Sequence, residues 1–174
     1  MKRSILVLAI GVLLSFSAQG QDAISKFFSK YENDEEFTQV SVNSRMFELF
    51  TNLEMETKED QEIMDAITKL KGIRILAKED TKDGKKLYKE AFQLLPKNEY
   101  GELMSVRDGT TDLKFLIKES GGKISELLMI SGGENGFFIL SLFGDIDLKQ
   151  IAKISKSMDI QGLEGLEKLD NKKE

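Results

Sequence analysis

Cysteine, histidine and tryptophan are absent from the 174 residues, and proline occurs once. Without cysteine there is no disulfide, thiol nucleophile or thiolate metal ligand. Without histidine there is no Ser-His-Asp triad, imidazole zinc site or imidazole acid–base catalysis. The side-chain chemistry that remains is that of carboxylates, Lys, Arg, Tyr and hydroxyls. No long basic stretch occurs and the net charge is −5, which disfavours nucleic acid and anionic membrane surfaces as partners. With 40% hydrophobic and 32% charged residues, the composition is that of a globular chain, so disorder and collagen-like structure are excluded.

Long hydrophobic runs are missing too, and the one short run has a specific setting. Met1, Lys2 and Arg3 form a positive start, Ile5 to Leu14 is apolar, and Ala18 and Gly20 place small residues at the −3 and −1 positions of a cleavage site before Gln21. This is the tripartite pattern of a secretory signal peptide. The apolar run is too short to cross a bilayer core of about 30 Å, and no cysteine follows it to accept a lipid. The expectation is an exported protein, periplasmic or extracellular, with no stable membrane anchor. Residues 1–20 read as the signal, 21–160 as a single domain and 161–174 as a charged C-terminal tail. A domain of this length buries about 70% of its unfolded surface, enough for one core without disulfides.

Periodicity supplies the elements. Ile24, Phe27, Phe28 and Tyr31 recur at helical spacing over residues 22–32, and Thr38, Val40 and Val42 then alternate with polar residues as in a half-buried strand. Ser44 is the expected cap of a helix carrying Met46, Phe47, Leu49, Phe50 and Leu53. Thr57 with Asp60 opens another, which Gly72 is expected to end. Ile73 to Ala77 reads as a strand, and Leu87 to Leu95 as a helix stopped by Pro96. Leu103 to Arg107, Leu113 to Lys118, Ile124 to Ile130 and Phe137 to Phe143 are strand-like runs joined by short glycine-bearing links. Such links connect antiparallel neighbours. Leu148, Ile151, Ala152, Ser155 and Met158 give a closing helix. The expected fold is α+β: an antiparallel four-strand meander extended by the two earlier strands, with helices packed on the sheet.

The strings Phe37 to Val42, Leu70 to Ile75, Tyr100 to Met104, Gly122 to Leu127 and Gly144 to Leu148 together resemble domain-of-unknown-function family 4252, over roughly residues 22–166. That resemblance implies export from Bacteroidota and a Gram-negative envelope location. It carries no activity, ligand or catalytic residue.

Several residue groups invite a chemical reading, and each has a plainer one. Ser120 and Lys123 fit a Ser-x-x-Lys pattern, but Gly121 and Gly122 between them read as a hairpin turn. Ser131 to Gly136 is glycine-rich, yet a strand pattern and not a helix follows, so the anion-binding helix end is missing. Asp145 and Asp147 could offer oxygens to a hard cation such as calcium, whereas Asp147 followed by Gln150 reads as a helix cap. Glu79 and Asp80 read as a solvated turn, and Lys114, Lys118 and Lys123 as exposed hairpin positions. No catalytic, cofactor or metal residue is assigned.

The run from Phe137 to Phe143 and the neighbouring Leu127 to Ile130 are apolar on both strand faces. Either helices cover both faces of the sheet, the favoured arrangement, or one face is a surface for a partner, a lipid-like ligand or a second copy. The expected function is a non-enzymatic envelope protein that binds a protein partner or a small apolar ligand, a homodimer through a sheet face being one form of it. The alternative is a carboxylate-dependent hydrolase or metal-binding protein.

Overall fold

A computed structural model describes residues 23–49, 57–96 and 98–151. In chain order the elements are α1 (Ala23–Lys30), β1 (Thr38–Asn43), α2 (Ser44–Glu48), α3 (Lys58–Thr68), β2 (Leu70–Glu79), α4 (Gly84–Leu94), β3 (Tyr100–Arg107), β4 (Thr111–Ser120), β5 (Lys123–Gly133) and β6 (Gly136–Ile146). A helical turn over 148–151 follows.

The links of the meander fix their own geometry. Gly121 and Gly122 both take positive φ, 61° and 78°, the conformation that lets a two-residue hairpin match strand twist. At the β3–β4 link, Gly109 has φ 92° and the Asp108 carboxylate accepts from the Thr110 and Thr111 backbone N–H groups. β2 then pairs antiparallel with β6, and β1 with β2, giving the order β1-β2-β6-β5-β4-β3. The α+β fold, with its four-strand meander extended by the two earlier strands, is the one expected from the sequence.

Helices α1 and α4 lie on one face, here the first face. Ile24 and Phe27 of α1 and Leu87, Tyr88 and Ala91 of α4 are buried against Leu76, Leu116, Leu128, Ile130, Phe137 and Ile139. Each fully buried aliphatic side chain in such a core contributes about 1.5–3 kcal/mol. Phe27 and Phe137 pack with ring centroids 5.5 Å apart. The Tyr31 hydroxyl donates to Glu90 at 3.1 Å and Lys30 pairs with the same carboxylate, tying the two helices together. Close approach of α4 to the sheet depends on glycine: a Cβ on Gly84 would overlap the carbonyl oxygens of Gly133 and Gly136, and one on Gly132 would strike Gly84 and Tyr88.

Four local expectations need correction. The cap of α2 is Asn43, whose side chain accepts from the Arg45 N–H at 3.1 Å, and Ser44 is the first helical residue. Gly72 does not end α3, which stops at Thr68; it lies inside β2, where the Phe143 ring of β6 occupies the space a Cβ would need. Lys114 and Lys118 are half-buried on the first face and not exposed: they pair with Glu102 and Glu99 and sit over the Phe92 and Tyr100 rings. Helix α1 ends at Lys30, two residues before the expected limit. Thr57 does open α3, accepting from the Asp60 N–H at 3.1 Å while its hydroxyl donates to the Asp60 carboxylate at 2.7 Å. The remainder of the expected closing helix, from Ala152 onward, and the signal residues Ala18, Gly20 and Gln21 lie outside the described residues.

Candidate functional site

The opposite face of the sheet is built from side chains that alternate with those of the first. Nearest one end, Val42, Ile73, Leu142, Leu127 and Ile117 are successive cross-strand neighbours. A second row, Val40, Ile75, Leu140, Met129, Phe115 and Met104, runs unbroken through all six strands. The third is Thr38, Ala77, Phe138, Ser131, Leu113 and Val106. At about 4.8 Å per strand, a full row is about 24 Å across.

The covering elements of this face gather at one end. β1 leaves through Asn43 into α2, α3 delivers the chain to Leu70, and β6 leaves through Ile146 toward the turn at 148–151. The register places Asn43 beside Gly72 and Leu70 beside Gly144, so all three connections share that end. Phe47, Leu70, Ile146 and Ile151 are buried there with Leu127, Leu142 and Phe115, and Ile67 and Leu148 pack against them. Burial declines away from it. Leu127 is fully buried, every apolar residue of the third row is partly or fully exposed, and at the two sheet edges Val40 and Val106 are 41% and 44% exposed. Glu79 and Asp108 border the open end. Hydrogen bonds from Thr111 N–H and the Thr110 hydroxyl and N–H hold the Asp108 carboxyl below the ordinary aspartate value of 3.8. The result is a face whose apolar side chains are partly exposed at the open end and most exposed at its two edges, with a polar rim.

The residue groups singled out from the sequence do not converge. Asp145 pairs with Lys123 at 2.6 Å, which lowers its pKa, while Asp147 caps the turn at 148–151, accepting from the Lys149 N–H at 2.9 Å. Ser120 and Lys123 flank the β4–β5 turn. Glu79 ends β2, and Asp80, with φ 51°, donates its N–H to the Asn135 carbonyl. Gly132, Gly133 and Gly136 seat α4. Among the described residues no group of three or more acidic side chains is placed to hold a metal ion, and no helix is long and apolar enough to cross a membrane.

Two charged residues on the first face escaped the sequence reading. Glu126 is buried in β5, its carboxylate accepting from the Tyr100 hydroxyl at 2.7 Å and the Ser141 hydroxyl at 2.6 Å. Arg74, in β2, donates from Nη1 to the Ser25 hydroxyl at 2.8 Å, with its guanidinium 5.3 Å from the Phe143 ring centroid. The available signal was a single charge interrupting an apolar strand, Glu126 between Ile124 and Ile130 and Arg74 between Ile73 and Ala77.

The family described as a domain of unknown function, DUF4252, matches residues 31–154, well over half of the chain. Neither a curated protein nor a solved structure matches it significantly.

Proposed function

We propose, from the premise that the chain belongs to the DUF4252 family, that it is an exported, non-enzymatic binding module whose partner docks on the open end of the second face. The observation that carries this reading is the third row, from Thr38 to Val106, in which every apolar side chain is partly or fully exposed and Val106 at the sheet edge is 44% exposed. A protein partner suits it better than an enclosed small ligand. Ligand sites are concave and bury about 70–90% of a small molecule, whereas exposure here rises toward both sheet edges. Export is supported by the pattern of Lys2, Arg3, Ile5 to Leu14 and the Ala18 to Gly20 cleavage site.

A photocrosslinking residue at position 106 of the full chain, expressed in cells that export it, tests both parts. The expected result is a mature N-terminus at Gln21 and one discrete adduct with another protein, lost in Val40→Asp while circular dichroism is unchanged. Adducts confined to residues 152–174 of the same chain would show that the face is covered internally and overturn the docking reading. Adducts to a second copy would make the partner a homodimer, and adducts to lipid a small-ligand site. An uncleaved cytoplasmic chain would overturn export.

A further inference from the structure

We propose that the groove between α1 and β1, on the first face, binds a small organic monocarboxylate through the guanidinium of Arg74. This site lies on the other face of the sheet from the docking surface and meets it only at Val40 of the edge strand β1.

Arg74 is half-buried and lies in register between Ser41 of β1 and Ser141 of β6. Its guanidinium carries five N–H donors in a rigid fork matched to a carboxylate. One donor is engaged by the Ser25 hydroxyl, and the Phe143 ring lies 5.3 Å away, so the plane of the fork is set from two sides. No carboxylate among the described residues lies within 4.0 Å of it. The buried carboxylate of the adjacent row, Glu126, takes its hydrogen bonds from Tyr100 and Ser141. Four residues along the same strand and face, Lys78 shows the usual solution, paired with Glu36. A half-buried cation without a counter-ion carries a desolvation penalty that a bound anion offsets.

The surroundings select the anion. Arg74 forms part of the wall of a groove of about 330 Å³, at the small end of the range for ligand pockets. Ser29 and Ser41 supply hydroxyls, and Phe28 and Val40 an apolar wall for a short hydrocarbon group. Glu32 also lines the groove, so a dianion such as phosphate would meet about twice the repulsion that a singly charged carboxylate does.

Titration of the protein with hexanoate, hexanamide and inorganic phosphate, followed by ¹H–¹⁵N NMR, tests the assignment. Hexanoate is expected to shift the amides of Ser25, Ser29 and Ser41 and the Arg74 Nε–H saturably, hexanamide not at all, and phosphate more weakly. Arg74→Gln should weaken hexanoate by about tenfold or more, since it removes the charge-assisted, bidentate hydrogen bonding of the fork. Arg74→Lys, which keeps the charge and loses the fork, should fall between. Ser41→Asp, which leaves Arg74 in place and sets a competing carboxylate beside it on the exposed edge strand, should also abolish the shifts, so the test does not depend on the Arg74 variants folding. Equal response to hexanamide, unchanged hexanoate affinity in Arg74→Gln or Ser41→Asp, or no saturable shift with hexanoate would each overturn the proposal.

Discussion

The two faces of this sheet are made by the same strands, with comparable apolar side chains, and end in different states. On β6, Phe137 and Ile139 are buried under α1 and α4, while Phe138 and Leu140, one residue away on the other face, are only partly covered. Hydrophobicity therefore does not decide which face is core. What decides is where the connections run. α1 and α4 lie across the first face, whereas α2, α3 and the turn at 148–151 all start from one end of the second. An apolar strand face is a requirement for a cover, and the cover is a property of the whole topology.

The sharpest way to break the comparison is to place a charge on each face. Ile139→Asp should unfold the protein, because a buried unpaired carboxylate costs several kcal/mol against a typical total of about 5–15 kcal/mol. Val106→Asp, 44% exposed in the wild type, should stay within about 0.5 kcal/mol. Denaturant titrations of the two variants read the difference, and equal loss in both would mean that the second face is as buried as the first.

A smaller effect tests the first-face cover itself. Gly84→Ala would drive a methyl group into the carbonyl oxygens of Gly133 and Gly136, so α4 must lift from the sheet at a cost of about 1–3 kcal/mol. Thermal unfolding of this variant should show the loss, with increased hydrogen exchange in α4. On the second face, Asp147→Ala should cost about 1 kcal/mol by removing the cap of the turn at 148–151, while Asp147→Asn should be nearly neutral. Denaturant midpoints measured with and without calcium separate capping from metal binding: calcium-dependent stabilisation lost in Asp147→Asn would contradict the cap.

The smallest effect is a pH dependence at the rim. Hydrogen bonds from Thr110 and Thr111 depress the folded pKa of Asp108 below its ordinary value. Its contribution is thus complete above the unfolded pKa and lost as pH falls through the folded one. Stability curves from pH 6 to pH 2 should show the wild type losing this increment below about pH 4, with the gap to Asp108→Asn closing there. A gap constant over that range would rule the linkage out.

Much of the architecture was legible because its causes are local. Gly121 with Gly122, and Asp108 with Gly109, are short turns that leave antiparallel pairing as the only solution, and Thr57 with Asp60 is a helix start readable within four residues. The failures are long-range. Gly72 after an amphipathic stretch looks like a helix stop, and only the pairing of β2 with β6 shows that Phe143 needs its missing side chain. Lys114 and Lys118 look solvated until α4 brings Phe92, and the chain entering β3 brings Glu99 and Tyr100, against them. The Arg74 groove lay beyond reach for the same reason, since Ser25 of α1 and Arg74 of β2 are 49 residues apart and meet only in the folded chain. The two-sided apolar run was legible as a pattern, and its unequal cover was not.

Strands that are apolar on both sides carry an ambiguity of alignment. Sliding β5 by one residue against β4 and β6 would exchange its two faces, and because Leu127 to Ile130 are apolar without interruption, the exchange would change hydrophobic burial little. Glu126 breaks that degeneracy. In the native alignment its carboxylate meets the hydroxyls of Ser141 on β6 and Tyr100 on β3; one step away it would point among Leu142, Ile117 and their neighbours with nothing to donate to it. Leaving a buried acceptor unsatisfied costs about 1–3 kcal/mol, and more for a charged one, so a single acidic residue selects one register of the central strands over its nearest competitor where the apolar pattern selects none.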